Sequence, residues 1–427
     1  MIVRARTILP VAKPPIEDGA VVVVDGNISK VGRWNDIAPD ANEHAVHDLG
    51  EVILLPGLVN AHCHLDYTDM AGRVPPQKSF VDWIKLITSA KSEWSYTEFA
   101  ESWLRGARML LETGTTTVAD MEAVPELLPE VWSATPLRVV SFLEMTGVKS
   151  RRDPAMIVRD ASAVIRSLPN DRCRAGLSPH APYSTVPELL RLSAGVAREH
   201  NWPVCTHVAE SRQEFDMFVH ARGEMFEWLR RNERDMADCG RGTPVEHLDQ
   251  IGLLSHSLIA VHANYLADGD ADLLGRRGVS VAHCPRSHAY FQHDPFPFRE
   301  LSRANVNICL GTDSLATVYK KRSDAVRLSM FDEMAAFADK HPDVDARTVV
   351  GLATLNGARA LGLAGEAGEI SPGAYADIIA IPYRGKTADA WSAAVHHKGE
   401  IAAGMIAGEW AMAPAEAASS SNIPAVV

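Results

Sequence analysis

The stretch Leu55–Asp66, LPGLVNAHCHLD, decides how this chain is read. An apolar run ends there in two histidines, His62 and His64, separated by one residue. On a strand alternate side chains share a face, so an i, i+2 pair can grip one cation. Taken alone, the pair equally describes a half-buried strand with two satisfied imidazoles, because short motifs carry false positives. Three further stretches tip the balance: CTHVAES (Cys205–Ser211), AVHANYL (Ala260–Leu266) and CLGTDS (Cys309–Ser314). Each sets a His or Asp at the end of an apolar, β-branched run, where a barrel strand delivers its functional side chain.

Working outward, strand-like runs alternate with helix-length segments, the pattern of a parallel sheet wrapped by helices. Eight strands are predicted, at Leu58–Leu65, Thr115–Glu122, Leu137–Met145, Cys173–Pro179, Pro203–Val208, Ser257–Ala263, Val279–Cys284 and Val306–Thr312. Helical apolar spacing marks Ser95–Glu112, Pro187–His200, Glu214–Arg231 and Thr348–Leu361. An α/β (β/α)8 TIM-like barrel is the natural closure. Both ends have a different texture. VVVVDGNISKVG alternates around an Asp25-Gly26 hairpin signal, and Gly373–Pro382 and Gly404–Met412 again suggest strands and turns. A small β-sandwich domain built from both ends, residues 1–55 plus 366–427, is therefore expected beside a barrel at 56–365. The last dozen residues, rich in Ala, Ser and Pro, are expected to form a loose tail.

A net charge of −12 and the lack of a Lys/Arg-rich run argue against nucleic acid or an anionic membrane as the main partner. Arg151–Arg152 and Lys320–Lys321–Arg322 are expected to be solvated helix ends or loops. The N-terminal MIVRARTILPVAKPP lacks the long apolar core of a signal peptide, and no window approaches a membrane span. Six cysteines without paired spacing fit buried free thiols in a reducing cytosol. A cytoplasmic protein acting on a small molecule is expected, with a homodimer an ordinary state for it.

In a barrel the carboxyl ends of the strands converge on one face. His62 and His64 from the first strand, His207 from the fifth and Asp313 from the eighth would then form a cage of three nitrogens and one oxygen. Those ligands suit Zn²⁺, with iron a competitor. Such an ion lowers the pKa of water from about 15.7 toward 7 and supplies hydroxide at neutral pH. Asp313 could take the water's proton. Glu210, three residues after His207, could carry protons between nucleophile, ring nitrogen and leaving group, or could be a surface Glu opening the next helix. His262 reads as a partner of the hydroxide or as a satisfied core histidine.

With these pieces assembled, the chain resembles the amidohydrolase superfamily, in the branch holding cytosine deaminase-like and adenosylhomocysteine deaminase-like enzymes, and is similar to aminodeoxyfutalosine deaminases. PGLVNAHCHLD, HVAES, VHANYL, HCPRSH and GTDS carry the likeness, in that order. It implies that His62, His64, His207 and Asp313 bind the metal, that Glu210 is the proton shuttle and that His262 assists at the hydroxide. Two-metal members use a carboxylated lysine on strand 4; here that strand, CRAGLSP, has none, so a single ion is implied. His180 in SPHAPYS matches a substrate-contacting histidine, with a turn residue as the plain alternative. Trp83 in SFVDWIKLI matches a pocket aromatic, with helix packing as its alternative. Glu144, Arg286 and Ser314 complete the candidate substrate contacts. His288 stands where the family often has Asn.

The resemblance implies hydrolytic deamination of a nitrogen heterocycle, foremost a 6-aminopurine nucleoside such as adenosine, methylthioadenosine, adenosylhomocysteine or aminodeoxyfutalosine. Amide, lactam or triazine hydrolysis is the second reading, and HVAES discriminates, because amide hydrolases more often lack that Glu. An inactive scaffold is third, and it would be expected to have lost ligands.

Overall fold

The computed structural model describes residues 1–148, 152–320 and 325–414. The expectations for Arg151, Lys321, Arg322 and the C-terminal tail lie outside the described residues.

Five strands open the chain: β1 (Ile2–Ile8), β2 (Ile16–Val24), β3 (Asn27–Arg33), β4 (Val46–Asp48) and β5 (Val52–Pro56). The barrel follows as β6 (Leu58–Cys63), β7 (Thr115–Glu122), β8 (Arg138–Met145), β9 (Arg174–Pro179), β10 (Val204–Val208), β11 (Leu258–His262), β12 (Ser280–His283) and β13 (Asn307–Leu310). The last three are β14 (Ile378–Pro382), β15 (Ala403–Ile406) and β16 (Glu409–Met412). All eight barrel strands lie within two residues of their predicted ends.

β6 to β13 pair in sequence order, every pair parallel. The ring closes where residues just past β13 meet β6: Cys63 bridges Asp313, and the N–H groups of Thr312 and Asp313 donate to the His62 carbonyl at 3.0 and 3.1 Å. Val59, Ala119, Phe142, Cys205, Ile259 and Cys309 fill the interior, the packed side-chain layers that make such a barrel a core rather than a pore. Helices cover the outside. Tyr96–Glu112 begins at a Ser95/Glu98 capping box and buries Phe99, Trp103, Ala107 and Leu110 along one stripe.

Strands from both ends form one mixed sheet, in the order β16, β15, β14, β5, β1, β2, β3, with β4 beside β1. That is the form the expected sandwich takes. Asp25 and Gly26 both adopt positive φ, 48° and 77°, as a two-residue turn between β2 and β3 demands. A buried ion pair, Arg138 with Asp377 at 3.1 Å, ties β8 to the segment leading into β14. All six cysteines are buried and free.

Two predicted helices are each broken in two. Glu214–Arg231 is Arg212–His220 and Glu224–Arg231, split where Ala221 and Gly223 take φ of 48° and 100°. Thr348–Leu361 is Ala346–Leu352 and Leu355–Ala360, split at Ala353 and Thr354. Apolar periodicity runs through such breaks because both halves pack on the same barrel. Gly373–Asp377, expected as strand, is loop apart from a single antiparallel bridge between Tyr375 and Asn27; the strand itself is Ile378–Pro382.

Candidate active site

The carboxyl ends of β6, β10, β11 and β13 build the floor of a cavity of about 370 Å³. His62 and His64 project from the end of β6 and His207 from β10. One ring nitrogen from each of the three lies within 4.8 Å of the others. Asp313 joins them because Gly311 lets the chain after β13 press on β6: a Cβ there would stand 2.8 Å from both the Cβ and the carbonyl oxygen of His62. Its Oδ1 lies 3.8 Å from the Nε2 atoms of both His62 and His64. Its Oδ2 accepts hydrogen bonds from Ser287 at 2.6 Å and Thr317 at 3.2 Å, which fix the carboxylate.

These residues fit a metal ion. Both ring nitrogens of His62 are fully buried without a hydrogen-bond partner, an arrangement costly for a polar group left alone. Burial first, then its histidine neighbours, drives His62 and His64 well below the usual imidazole pKa, so both are neutral with lone pairs to offer. His207 donates Nδ1–H to the His180 carbonyl at 3.0 Å, which leaves Nε2 as its free donor atom. Burial would raise Asp313, but His262, His64 and the Ser287 hydroxyl outweigh it and hold the carboxyl below its ordinary value.

Glu210 and His262 face each other across the floor, Oε1 to Nε2 at 3.4 Å. Burial, reinforced by Asp313 and Glu214, pushes the Glu210 carboxyl well up. Burial pushes His262 well down. The backbone here is strained: Ala209, His262, Ala263 and Asp313 all have φ between 47° and 75°. Such conformations persist in non-glycine residues only where the surroundings impose them, and they cluster at functional sites.

One wall is polar. Glu144, next to last in β8, lies 3.8 Å from Lys91 and 3.9 Å from His180. Lys91 also donates to the Tyr67 hydroxyl at 2.6 Å, and the Tyr67 ring stacks on His64. Burial disfavours the Lys91 charge, but Tyr67 and Glu144 outweigh it and raise its pKa. Burial likewise opposes the Glu144 charge, yet Lys91 and His180 bring that carboxyl down to about 2. The mouth is apolar, lined by Phe80, Trp83, Ile84, Ile87, Trp228 and Leu229.

Of the residues singled out in the sequence, His64, His207, Asp313, Glu210, His262, His180, Trp83, Glu144 and Ser314 line this one cavity, with His62 buried beneath it. Arg286 does not line it. Its guanidinium is engaged by Glu333 at 2.5 Å and by the Arg327 carbonyl. Lys91, Tyr67 and Trp228 were missed. Only Tyr67, three residues past His64, had a neighbouring motif to flag it.

The amidohydrolase family profile matches residues 53–411. A 5-methylthioadenosine/S-adenosylhomocysteine deaminase of Syntrophobacter fumaroxidans is 31% identical over 384 residues, covering 86% of this chain and 81% of that protein. A 5′-deoxyadenosine deaminase of Methanothermobacter thermautotrophicus is 29% identical over 380 residues, covering 86% and 82%. Among solved structures, an adenosine deaminase of Xanthomonas campestris with bound zinc has a TM-score of 0.81 at 25% identity, covering 96% of this chain and 92% of that one. The aminofutalosine deaminase of Helicobacter pylori shares the fold, with a TM-score of 0.83 at 20% identity over 96% of this chain and 99% of that one. With the profile running from β5 through β16 and a histidine cage at the barrel's strand ends, this chain belongs to the amidohydrolase family.

Proposed function

We propose that this chain is a hydrolytic deaminase of adenine nucleosides bearing a 5′ substituent, with His62, His64, His207 and Asp313 holding one divalent ion, zinc in preference to iron. The observation that carries the reading is Glu210, a buried carboxyl 3.4 Å from His262 that lines the same cavity as the histidine cage. Relatives named as deaminases of methylthioadenosine, adenosylhomocysteine and 5′-deoxyadenosine support the substrate class. A single ion is supported by β9, which offers no lysine to bridge a second.

A divalent ion bound to this donor set supplies Lewis acidity and brings the pKa of a water molecule from about 15.7 toward 7. Glu210 takes a proton from the attacking water and delivers it to the ring nitrogen beside the amino-bearing carbon. His262 hydrogen-bonds the incoming oxygen. Asp313 receives the water's second proton and returns it to the amine, the C–N bond breaks, and ammonia leaves. Glu144 and His180 bind the ribose hydroxyls, Ser314 borders the ring, and the 5′ group lies along Trp83. A site whose buried polar groups expect a sugar rejects the free base, because those groups would go unmet.

Amide, lactam or triazine hydrolysis is the competing reading, and the Glu210–His262 pair favours deamination over it. We also propose the division into 1–55 plus 366–427 and 56–365, supported by the two separate sheets, and a cytoplasmic location, supported by six buried free thiols. No described helix is long and apolar enough to cross a membrane.

The test is ammonia release by metal-loaded protein from adenine, adenosine, methylthioadenosine and adenosylhomocysteine, beside cytosine, guanine and a triazine. Turnover of the nucleosides with adenine refused is expected. Turnover of only cytosine, guanine or the triazine would overturn the substrate class and leave the family intact.

A further inference from the structure

Glu210 can move protons only if its carboxyl is held over the cavity, and the chain around it is not one that settles there unaided. It follows Ala209, whose φ of 51° lies in the left-handed region that a residue with a Cβ avoids. Two elements clamp this corner. From the end of β11, the N–H groups of Asn264 and Tyr265 both donate to the Ala209 carbonyl, at 3.0 and 3.1 Å. The Asn264 side chain then donates Nδ2–H to the Glu210 carbonyl at 3.0 Å. From the following helix, Glu214 Oε2 accepts the Glu210 N–H at 2.9 Å.

The Glu214 contact is not ordinary helix capping. Ser211 is the N-cap, its hydroxyl accepting from the Glu214 N–H. A capping box would return the Glu214 carboxyl to the Ser211 N–H. It reaches one residue further, to the peptide that carries Glu210. Glu214 is wholly buried, and burial pushes its carboxyl up to about 8 against the lowering effect of the Glu210 and Ala209 N–H groups. It is thus a neutral acceptor around pH 7.

His288, the departure from the family pattern, finds its place in the same device. A carbonyl only accepts, so Asn264 must turn its NH2 toward Glu210, and its Oδ1 faces His288 Nδ1 at 3.1 Å. Nδ1 therefore carries the proton and donates. Burial lowers His288 to about 4, so the ring is neutral. Neither Glu214, Asn264 nor His288 lines the cavity.

We propose that Glu214 and Asn264, with His288 behind Asn264, are positioning residues that fix the Glu210 peptide from both sides and thereby aim its carboxyl. This rests on the role assigned to Glu210 above. The test compares Glu214→Leu, Glu214→Gln and Asn264→Ala, each alone and combined with Glu210→Gln, by kcat and KM on methylthioadenosine, zinc content and Tm. Displacing a proton-transfer group by a fraction of an ångström should lower kcat about 10- to 100-fold in Glu214→Leu and Asn264→Ala, with KM and zinc content unchanged. Glu214→Gln should stay within about threefold of wild type, since its amide oxygen still accepts the Glu210 N–H. With Glu210→Gln the further losses should fall below about twofold, because residues acting through one group are not additive. Wild-type kcat in Glu214→Leu and Asn264→Ala, or losses undiminished beside Glu210→Gln, would overturn the inference while the function stands. Full turnover in Glu210→Gln alone would overturn both. If Glu214→Leu does not fold, Asn264→Ala carries the same comparison.

Discussion

The floor and the wall of the cavity are built by different means. The floor residues sit on or just beyond barrel strands, with the backbone bent into left-handed conformations at Ala209, His262, Ala263 and Asp313 and clamped by neighbouring strands. Much of the wall comes from elsewhere: Lys91 and Trp83 from the helix Phe80–Ser92 and Trp228 from Glu224–Arg231, two helices bound to each other by a hydrogen bond from Ser79 to Glu224 at 2.6 Å. A barrel can thus keep one chemistry on rigid strand ends while the segments above it change what is admitted. Floor substitutions should abolish turnover, and wall substitutions should change which substrates are taken.

The largest effect is expected from His207→Ala, which removes a floor donor. It should lose the ion by elemental analysis and about 10³-fold or more in turnover. Glu210→Gln comes next: zinc and fold retained, turnover down by roughly two orders of magnitude or more in steady-state assays. Near wild-type turnover there, with zinc confirmed, would make the floor less essential than its geometry implies. On the wall, Glu144→Gln should raise KM for nucleosides about tenfold with little change in kcat, the loss of one charge-assisted hydrogen bond to a sugar hydroxyl. An equal fall in kcat instead would move Glu144 to the floor's side of the comparison. The smallest effect is expected from Trp83→Ala: KM for methylthioadenosine rises a few-fold, by about 1 kcal/mol of lost apolar contact, and that for adenosine less.

This difference also explains what could be read from the sequence. A strand end announces itself, because an apolar run stops at a polar residue, and His62, His64, His207, His262 and Asp313 were all legible that way. Glu210 was legible through its distance from His207. Lys91 was not, since a lysine on an amphipathic helix looks like any solvated residue until Tyr67 and Glu144 are seen beside it. Trp228 was hidden by the break at Ala221–Gly223, which periodicity did not reveal. Arg286 shows the opposite case: it follows β12 closely and looks like a ligand residue, but it lies outside the cavity lining and Glu333, far along the chain, engages it. The barrel strands were legible within two residues; the order of strands in the terminal sheet was not, because pairing between the two chain ends leaves no local trace.

The central claim, that this floor adds water to the amino-bearing carbon of an adenine nucleoside, is tested most directly in heavy-oxygen water. Metal-loaded protein incubated with methylthioadenosine should yield one ammonia per nucleoside consumed, with the label in the ring carbonyl of the product. Unlabelled product, free adenine released by cleavage at the sugar, or no ammonia from any adenine nucleoside would contradict it.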